Sequence, residues 1–211
     1  MAQLDLRGGS SALCPTEEQL SLSRPGTAGP TDVGVGLFLN DVVALDDVTQ
    51  SLTADLFLIL RWTDARLADP GRGSSQAVCT LPREAMWTPV VQARGLRESE
   101  SLYQDISAID AAGTVTFARR VIAEISVPLD LRDFPFDRHT LAIEVETVFS
   151  SVDEVRLVPL DELSGIAERL SITGWILGVP TVTVISNGTF GTFMVDKHSE
   201  RPPNPWPRPV T

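Results

Sequence analysis

The sequence is poor in the residues from which catalytic and metal sites are usually built. It has two histidines, His139 and His198, and two cysteines, Cys14 and Cys79, with no spacing typical of a metal site. No Ser-His-Asp set, paired metal ligands or glycine-rich phosphate loop is visible. We therefore expect a protein that is not an enzyme and that uses no metal or other cofactor. The two cysteines are either one disulfide or two inert thiols.

Positive charge is also scarce. The chain has 17 Lys and Arg against 28 Asp and Glu, which gives a formal net charge of -11 at pH 7. Such a chain repels phosphate backbones, and no basic cluster interleaved with aromatic residues offsets the repulsion. We therefore expect no nucleic-acid partner.

Long hydrophobic runs are absent from the sequence. A helix needs roughly 20 apolar residues to cross a bilayer, and the longest candidates, such as 56–60, have only the length of a strand. The N-terminal residues lack the charged and apolar regions of an export signal. The chain as given is not expected to span a membrane, which is compatible with a removed signal and with cytosolic residence.

What the sequence does contain is the apolar and polar alternation of β-strands. Residues 33–39 and 52–62 each place their apolar side chains on one strand face. Four further strand patterns lie at 114–127, 140–148, 155–158 and 172–185. Asn187-Gly188 after the last of them is a hairpin-turn signal. Many short strands with few helices predict an all-β, immunoglobulin-like antiparallel β-sandwich of about ten strands.

The two ends of the sequence differ from this centre. Residues 1–31 are polar and rich in Gly, Ser and Pro, and Thr16 and Gln19 have the capping-box spacing of a short helix. A second short helix is predicted at 161–170. The last residues, 201–211, are rich in proline and cannot form a central strand. We therefore expect an N-terminal arm with a short helix at 1–31, a β-sandwich domain at 32–200, and a proline-rich tail at 201–211.

Three motifs occur in a fixed order along these strands. Trp62 and Asp64 form Trp-x-Asp at the end of the second strand, Trp87 and Pro89 form Trp-x-Pro, and residues 134–137 read Phe-Pro-Phe-Asp. A Gly-Trp pair follows at 174–175. In order and separation these motifs resemble the extracellular, ligand-sensing domain of a bacterial pentameric ligand-gated ion channel of the Cys-loop receptor superfamily.

One departure from the eukaryotic members of that superfamily is visible. Val127 and Leu141 occupy the positions at which the eukaryotic loop has its two cysteines. Bacterial members of the superfamily also lack these cysteines. Burial of Phe134 and Phe136, with Pro135 fixing the turn, would hold the loop without a covalent bond. We expect Phe134 and Phe136, together with Trp62 and Trp175, to be largely buried. The resemblance also puts Cys14 and Cys79 at the same end of the sandwich, where they can pair.

The resemblance implies a ligand site between adjacent subunits. Carried over position by position, its ligand-binding residues are Phe57, Arg94, Thr116, Ala118, Val148, Phe149 and Asn187. Cation-π capture of an amine needs several aromatic faces, and the single tyrosine, Tyr103, lies elsewhere in this assignment. Arg94, with Arg119 and Arg120, would favour an anionic ligand such as a carboxylate, unless these arginines are simply solvated.

The resemblance also implies residues that couple the site to a pore. They are Asp46 and Asp47 in the first turn, with Phe134, Pro135, Phe136 and Asp137 of the signature loop. Both segments are expected side by side at the end of the domain that faces the membrane. Two carboxylates that share a site raise one pKa, so proton gating is physically reasonable.

The expected function is therefore that of the extracellular sensor domain of a pentameric ligand-gated ion channel, with a proton-gated cation channel as one form of it. Such a domain assembles as a homopentamer, responds to a small molecule or to protons, and reaches the membrane through a transmembrane domain absent from this chain. The resemblance implies the bacterial inner membrane, with this domain in the periplasm. The alternative is a soluble pentameric ligand-binding protein of the same fold without a pore. A carbohydrate-binding sandwich would need exposed aromatic platforms, which a 6% aromatic content barely supplies.

Overall fold

The computed structural model describes residues 14–26, 28–69, 79–103, 105–129, 132, 138–172, 175–177, 181–185 and 188–197. Within these ranges the chain forms two β-sheets. The larger sheet has the order β10-β1-β2-β7-β6-β3, with β5 paired to β7 and β9 paired to β1. The smaller sheet has the order β11-β13-β8-β4, with β12 paired to β13. The prediction of an all-β, immunoglobulin-like sandwich is confirmed.

The larger sheet has three long strands at its centre, β1, β2 and β7. The strands of this sheet are β1 (Thr31–Asp46), β2 (Ser51–Thr63), β3 (Cys79–Pro82), β5 (Leu96–Ser101), β6 (Ile106–Ile109), β7 (Thr114–Ser126), β9 (Val155–Pro159) and β10 (Gly165–Ile166). The smaller sheet contains β4 (Val91–Ala93), β8 (Arg138–Thr147), β11 (Trp175–Leu177), β12 (Thr181–Ile185) and β13 (Gly188–Lys197). Three single-turn 3-10 helices complete the described elements, at Ala65–Leu67, Arg83–Ala85 and Asp161–Leu163.

The core lies between the two sheets and is built by alternating residues. On the larger sheet the buried side chains are Val33, Val35, Leu37 and Leu39 of β1, Leu52, Ala54, Leu56, Leu60 and Trp62 of β2, and Val115, Phe117, Ala123 and Ile125 of β7. The smaller sheet contributes Leu141, Ile143 and Val145 of β8. Because successive side chains of a strand point to opposite faces, this register leaves the other face of β2 and β7 on the outside.

Trp62 is 2% exposed and meets Trp87 edge to face, with ring centroids 5.8 Å apart. The prediction that Trp62 is buried is confirmed. Trp175 begins β11, where it pairs with Lys197, but its side chain lies outside the described part of the structure. Phe134 and Phe136 also lie outside the described residues, and their burial stays a prediction.

The prediction of a short N-terminal helix at the capping box of Thr16 and Gln19 is wrong. Residues 14–20 form a single hydrogen-bonded turn, in which Gln19 N donates to Thr16 O at 2.9 Å. Only half of the capping box forms, because the Gln19 side chain accepts from Thr16 N at 2.9 Å while the Thr16 hydroxyl donates to Gln19 Oε1. One turn is a costly helix nucleus, and the Ser-rich residues that follow do not extend it. The helix predicted at 161–170 is likewise reduced to Asp161–Leu163, followed by β10.

The N-terminal arm is fixed to the end of the sandwich around Asp64. Asp64 is 2% exposed and forms an ion pair with Arg66, Nη2 to Oδ2, at 2.7 Å. Arg66 then donates to Ser23 O at 2.8 Å, and the Gln19 amide donates to Arg66 O at 3.1 Å. Gly113, at φ +80°, lets the turn before β7 approach so closely that a Cβ would overlap the Asp64 carbonyl oxygen.

The predicted pairing of Cys14 with Cys79 is confirmed. The two residues form a disulfide with their Cα atoms 5.0 Å apart, which is inside the range that a disulfide spans. Cys79 begins β3 and pairs with Ile109 of β6, at the end of the sandwich opposite the Asp46–Asp47 turn. The disulfide therefore joins the arm covalently to the edge of the larger sheet.

The double substitution Cys14→Ser with Cys79→Ser should lower the free energy of unfolding by about 2–4 kcal/mol, because the unfolded chain regains the entropy of a large open loop. Urea titrations of the oxidised proteins measure this difference. Dithiothreitol should lower the urea concentration at the unfolding midpoint of the parent protein and leave the midpoint of the variant unchanged. Equal midpoints for the two oxidised proteins would show that the disulfide contributes nothing to stability.

Candidate functional site

Three of the predicted ligand-binding residues lie on the outer face of the larger sheet. Phe57 of β2 pairs with Arg120 of β7, and two steps along each strand Ile59 pairs with Ala118. Thr116 follows on the same face, opposite Arg61. Cross-strand partners point to the same side of a sheet, so Phe57, Thr116 and Ala118 share one surface.

The other described members of the predicted set lie on the smaller sheet. Arg94 follows β4 and its N–H donates to Glu144 O at 2.8 Å, whereas Val148 follows β8 and its N–H donates to Val90 O at 3.0 Å. Val148 lies four positions beyond Glu144, a distance of about 13 Å along a strand. Phe149 is 83% exposed beside Val148. The structure therefore brings Val148 and Phe149 together and leaves Arg94 apart from them.

Asn187 lies outside the described residues, in the connection between β12 and β13. These strands form the hairpin that Asn187-Gly188 indicated, but one residue out of step with it, because Ile185 pairs with Gly188 and Gly188 therefore belongs to β13 and not to the turn. Residues 188–191 all pair with β12.

The arginine that was expected to attract an anion is already paired. Arg94 Nη1 is 2.6 Å from Glu144 Oε2, and Arg94 Nη2 is 2.7 Å from Glu146 Oε2. The hydrogen bond to Glu146 raises the pKa of Arg94 and lowers the pKa of Glu146. Two carboxylates around one guanidinium make this surface unfavourable for an anionic ligand.

The two arginines of β7 are paired as well. Arg119 forms a bidentate contact with Asp105, and Arg83 lies 3.6 Å from the same carboxylate. Arg120 is held by Asp55, with Nη2 2.7 Å from Oδ2. The expectation of an anionic ligand thus loses the cationic groups on which it depended.

The structure adds three residues to the outer face that sequence reasoning did not assign to the site, namely Asp55, Asn40 and Tyr103. Asp55 is 7% exposed, although its position on β2 faces outward, because Arg120 and Asn40 cover it. Tyr103 reaches the same place, since Leu102 N donates to Arg120 O at 3.2 Å and the Tyr103 side chain interacts with Arg120. A charged residue inside an apolar strand was the available signal for Asp55, but the position of Tyr103 depends on how β5 and β7 pair.

The turn that was expected to couple the site to a pore is ordered by Asp46. Its Oδ1 accepts hydrogen bonds from Val48 N and Thr49 N, both at 2.8 Å. These bonds, that from Thr49 above all, lower the pKa of Asp46. Asp46 is therefore not a carboxyl whose pKa a neighbouring charge raises, and proton sensing in mildly acidic solution requires another group.

The signature loop itself, Phe134, Pro135, Phe136 and Asp137, lies outside the described residues. The chain that enters it is next to the Asp46–Asp47 turn, because Val127 N donates to Gln50 O at 3.0 Å. Arg97 also reaches this turn, where Nη2 donates to Thr49 O at 2.9 Å. The expectation that the loop and the turn lie side by side stays a prediction.

Two clefts lie near the N-terminal arm, with volumes of about 420 and 450 Å³. The first is lined by Leu22, Trp87 and the Arg83–Asp105–Arg119 cluster, the second by residues 25–26 and 28–32 with Thr63 and Ala65. Neither contains a residue of the predicted ligand-binding set. In the described part of the chain, no group of three or more His, Cys, Asp or Glu side chains is placed to hold a metal ion. Over the same residues, no helix is long and apolar enough to cross a bilayer.

Comparison with known proteins identifies relatives of this chain. Residues 18–173 match the family model described as the neurotransmitter-gated ion-channel ligand binding domain. A proton-gated ion channel of Gloeobacter violaceus is 33% identical over 165 residues, which cover 75% of this chain and 44% of that protein. The glycine receptor subunit beta of Homo sapiens is 28% identical over 145 residues, 64% of this chain and 29% of the receptor subunit. The chain thus spans less than half the length of these curated relatives.

The pair of Asp55 and Arg120 gives a prediction for stability. Hydrogen bonding to Arg120 lowers the pKa of Asp55, so the pair stabilises the fold above the unfolded-state pKa of about 3.9, and this contribution is lost as the pH falls through the lower folded-state value. Asp55→Asn should reduce the free energy of unfolding by about 1–3 kcal/mol at pH 7. The difference in the free energy of unfolding between the variant and the parent protein, measured by urea titration, should become smaller below about pH 4.

Asp32→Asn is the matched control, because Asp32 and Arg156 form a bidentate pair of the same kind whose side chains are 51% and 60% exposed. This control should change stability little. If the two variants lost equal free energy of unfolding at pH 7, the Asp55–Arg120 pair would contribute no more to stability than the exposed Asp32–Arg156 pair, which would contradict the prediction.

Proposed function

The chain belongs to the neurotransmitter-gated ion-channel ligand-binding domain family, and we propose from this that residues 32–200 are the extracellular sensor domain of a pentameric ligand-gated ion channel. The observation that carries the proposal is the family match over residues 18–173, together with the sandwich that those residues form. In this proposal residues 1–31 are an arm that closes one end of the domain, and residues 201–211 are the linker beyond it.

The distribution of the ligand-binding residues supports assembly as a homopentamer. Phe57, Thr116 and Ala118 face outward from the larger sheet, whereas Val148 and Phe149 extend from the smaller one. Two different surfaces of one chain meet only when a second copy is present, and a heterologous contact closes into a ring when the rotations between successive copies complete a full turn. Phe149, with 83% of its surface exposed, is the apolar side chain that such a contact would bury.

The stimulus in this proposal is a small molecule or a proton. The relative from Gloeobacter violaceus is a proton-gated ion channel, which makes acidification the first stimulus to test. We propose that groups other than Asp46 sense protons, because hydrogen bonds within the turn lower the pKa of Asp46. Asp46 instead orders the turn, and Asp47, Asp137 and the Phe134-Pro135-Phe136 segment transmit the change of state.

The disulfide supports a location outside the cytosol. A bond between Cys14 and Cys79 persists in an oxidising compartment, such as the bacterial periplasm, and is rare where thiols are kept reduced. We propose that the domain lies on the periplasmic side of the inner membrane and that a transmembrane domain, beyond this chain, anchors it.

The proposal predicts the behaviour of Asp137→Asn in the membrane-reconstituted channel that contains this domain. Removing a charge from the coupling interface should shift the proton or agonist concentration for half-maximal current by about 5-fold or more, because typical coupling free energies correspond to such factors. Current-activation curves of parent and variant, recorded at equal surface expression, measure the shift. Asp153→Asn is the control, since Asp153 precedes β9, which pairs with the Thr31 end of β1, far from the Asp46–Asp47 turn.

An unshifted curve for Asp137→Asn would remove Asp137 from the mechanism. A protein that forms a pentamer and binds a ligand, yet carries no current under any acid or ligand step, would instead identify the soluble binding protein of the same fold.

A further inference from the structure

The outer face of β2 and β7 contains a carboxylate that is held independently of its arginine partner. Asp55 lies within β2, and Asn40 Nδ2 donates to its Oδ2 at 2.8 Å. A carboxylate fixed by its strand and by a neutral amide is a preorganised acceptor for a cation. With Arg120 also in place, the residue is only 7% exposed.

An aromatic ring lies next to this carboxylate on the same face. Phe57 is two residues further along β2, so its side chain points to the same side as that of Asp55. Tyr103, which is exposed, follows Leu102, whose N–H donates to the Arg120 carbonyl oxygen at 3.2 Å, so Tyr103 lies beside Arg120. Together the carboxylate and the rings form the kind of surface that binds an organic cation.

This surface already holds a cation from its own chain. Arg120 donates from Nε to Asp55 Oδ1 at 2.9 Å and from Nη2 to Oδ2 at 2.7 Å. Its Cζ atom is 5.5 Å from the centre of the Phe57 ring. The guanidinium thus satisfies the carboxylate with both donors and covers the ring face at the same time.

We infer that Arg120 is an internal ligand, which occupies a site for a guanidinium-like organic cation on the β2–β7 face and thereby excludes external cations from it. The site consists of Asp55, Asn40, Phe57 and Tyr103. This assignment concerns a single chain and does not depend on the presence of a pore.

The other aromatic contacts of arginine among the described residues differ from this one. Arg83 and Arg119 lie 5.7 and 5.8 Å from the Phe117 ring, but Phe117 is 2% exposed and belongs to the core between the sheets. Phe57 is only half-buried, and the Arg120 side chain that covers it is 27% exposed. Removal of the Arg120 side chain therefore opens the ring and the carboxylate to solvent, which removal of Arg119 would not do for Phe117.

The test is chemical rescue of Arg120→Ala by millimolar methylguanidinium, followed as the thermal unfolding midpoint at constant ionic strength. A ligand that binds only the folded protein raises the midpoint in a saturable way. The apparent affinity of Arg120→Ala for methylguanidinium should be at least tenfold higher than that of the parent protein. N-Methylurea, which has the same shape without the charge, should not stabilise the variant.

Arg156→Ala is the matched control, because it breaks a bidentate cross-strand pair with Asp32 of the same geometry on the same sheet. An equal response of Arg156→Ala and Arg120→Ala would overturn the assignment. So would unchanged binding after Asp55→Ala is added to Arg120→Ala. Adding Phe57→Leu instead should weaken binding severalfold, and an unchanged affinity would contradict the role of the ring.

If Arg120→Ala does not fold, Arg120→Gln keeps most of the stem and leaves the guanidinium position open. Millimolar guanidinium is then the probe, with the same expected stabilisation. A flat midpoint across the titration would overturn the assignment, and it would leave the proposed channel function untouched because no current enters the measurement.

Discussion

The pairing of β2 with β1 on one side and β7 on the other is the constraint on which the rest of the structure depends. β2 and β7 pair without interruption from Ser51 with Ser126 to Thr63 with Thr114, whereas the pairing of β1 with β2 shifts register at Leu39–Asp41 and at Val42–Ala44. Since side chains alternate between faces, this single register places Leu56, Leu60 and Trp62 in the core. The same register puts Phe57 and Ala118 on the outside. A slip by one residue would exchange the two sets, so the core and the candidate site are specified together.

Much of this arrangement could be predicted from the sequence because alternation is a local property. The long strands β1, β2 and β7 were visible in the apolar pattern, and Asn187-Gly188 indicated the hairpin of β12 and β13, although Gly188 already pairs with Ile185. Short strands such as β5 were missed, because Leu96–Ser101 is exposed throughout and has no apolar period. The N-terminal helix was predicted wrongly because a capping box signals only the start of a helix, not the residues that must continue it.

The electrostatics of the site could not be predicted in the same way. The sequence identified Arg94, Arg119 and Arg120 as the cations from which an anionic ligand was expected. Their partners, however, come from other strands or from the loop before β6, and sequence separation gives no information on such pairs. Each arginine neutralises a carboxylate of its own chain, which changes the chemistry expected of the surface from anion binding to an occupied cation site. Tyr103 was placed outside the site for the same reason, since only the fold brings it to Arg120.

The central claim is that the outer face of β2 and β7 in one copy meets the end of β8 in the next. Phe57→Cys and Phe149→Cys in one full-length, membrane-reconstituted chain test this directly by oxidative cross-linking and non-reducing electrophoresis. The account predicts a ladder of cross-linked species that ends at five chains. Neither single substitution should give this ladder, and neither should the control that combines Val48→Cys with Phe57→Cys. A double variant that stays a single chain, while native electrophoresis shows an intact assembly, would contradict the claim.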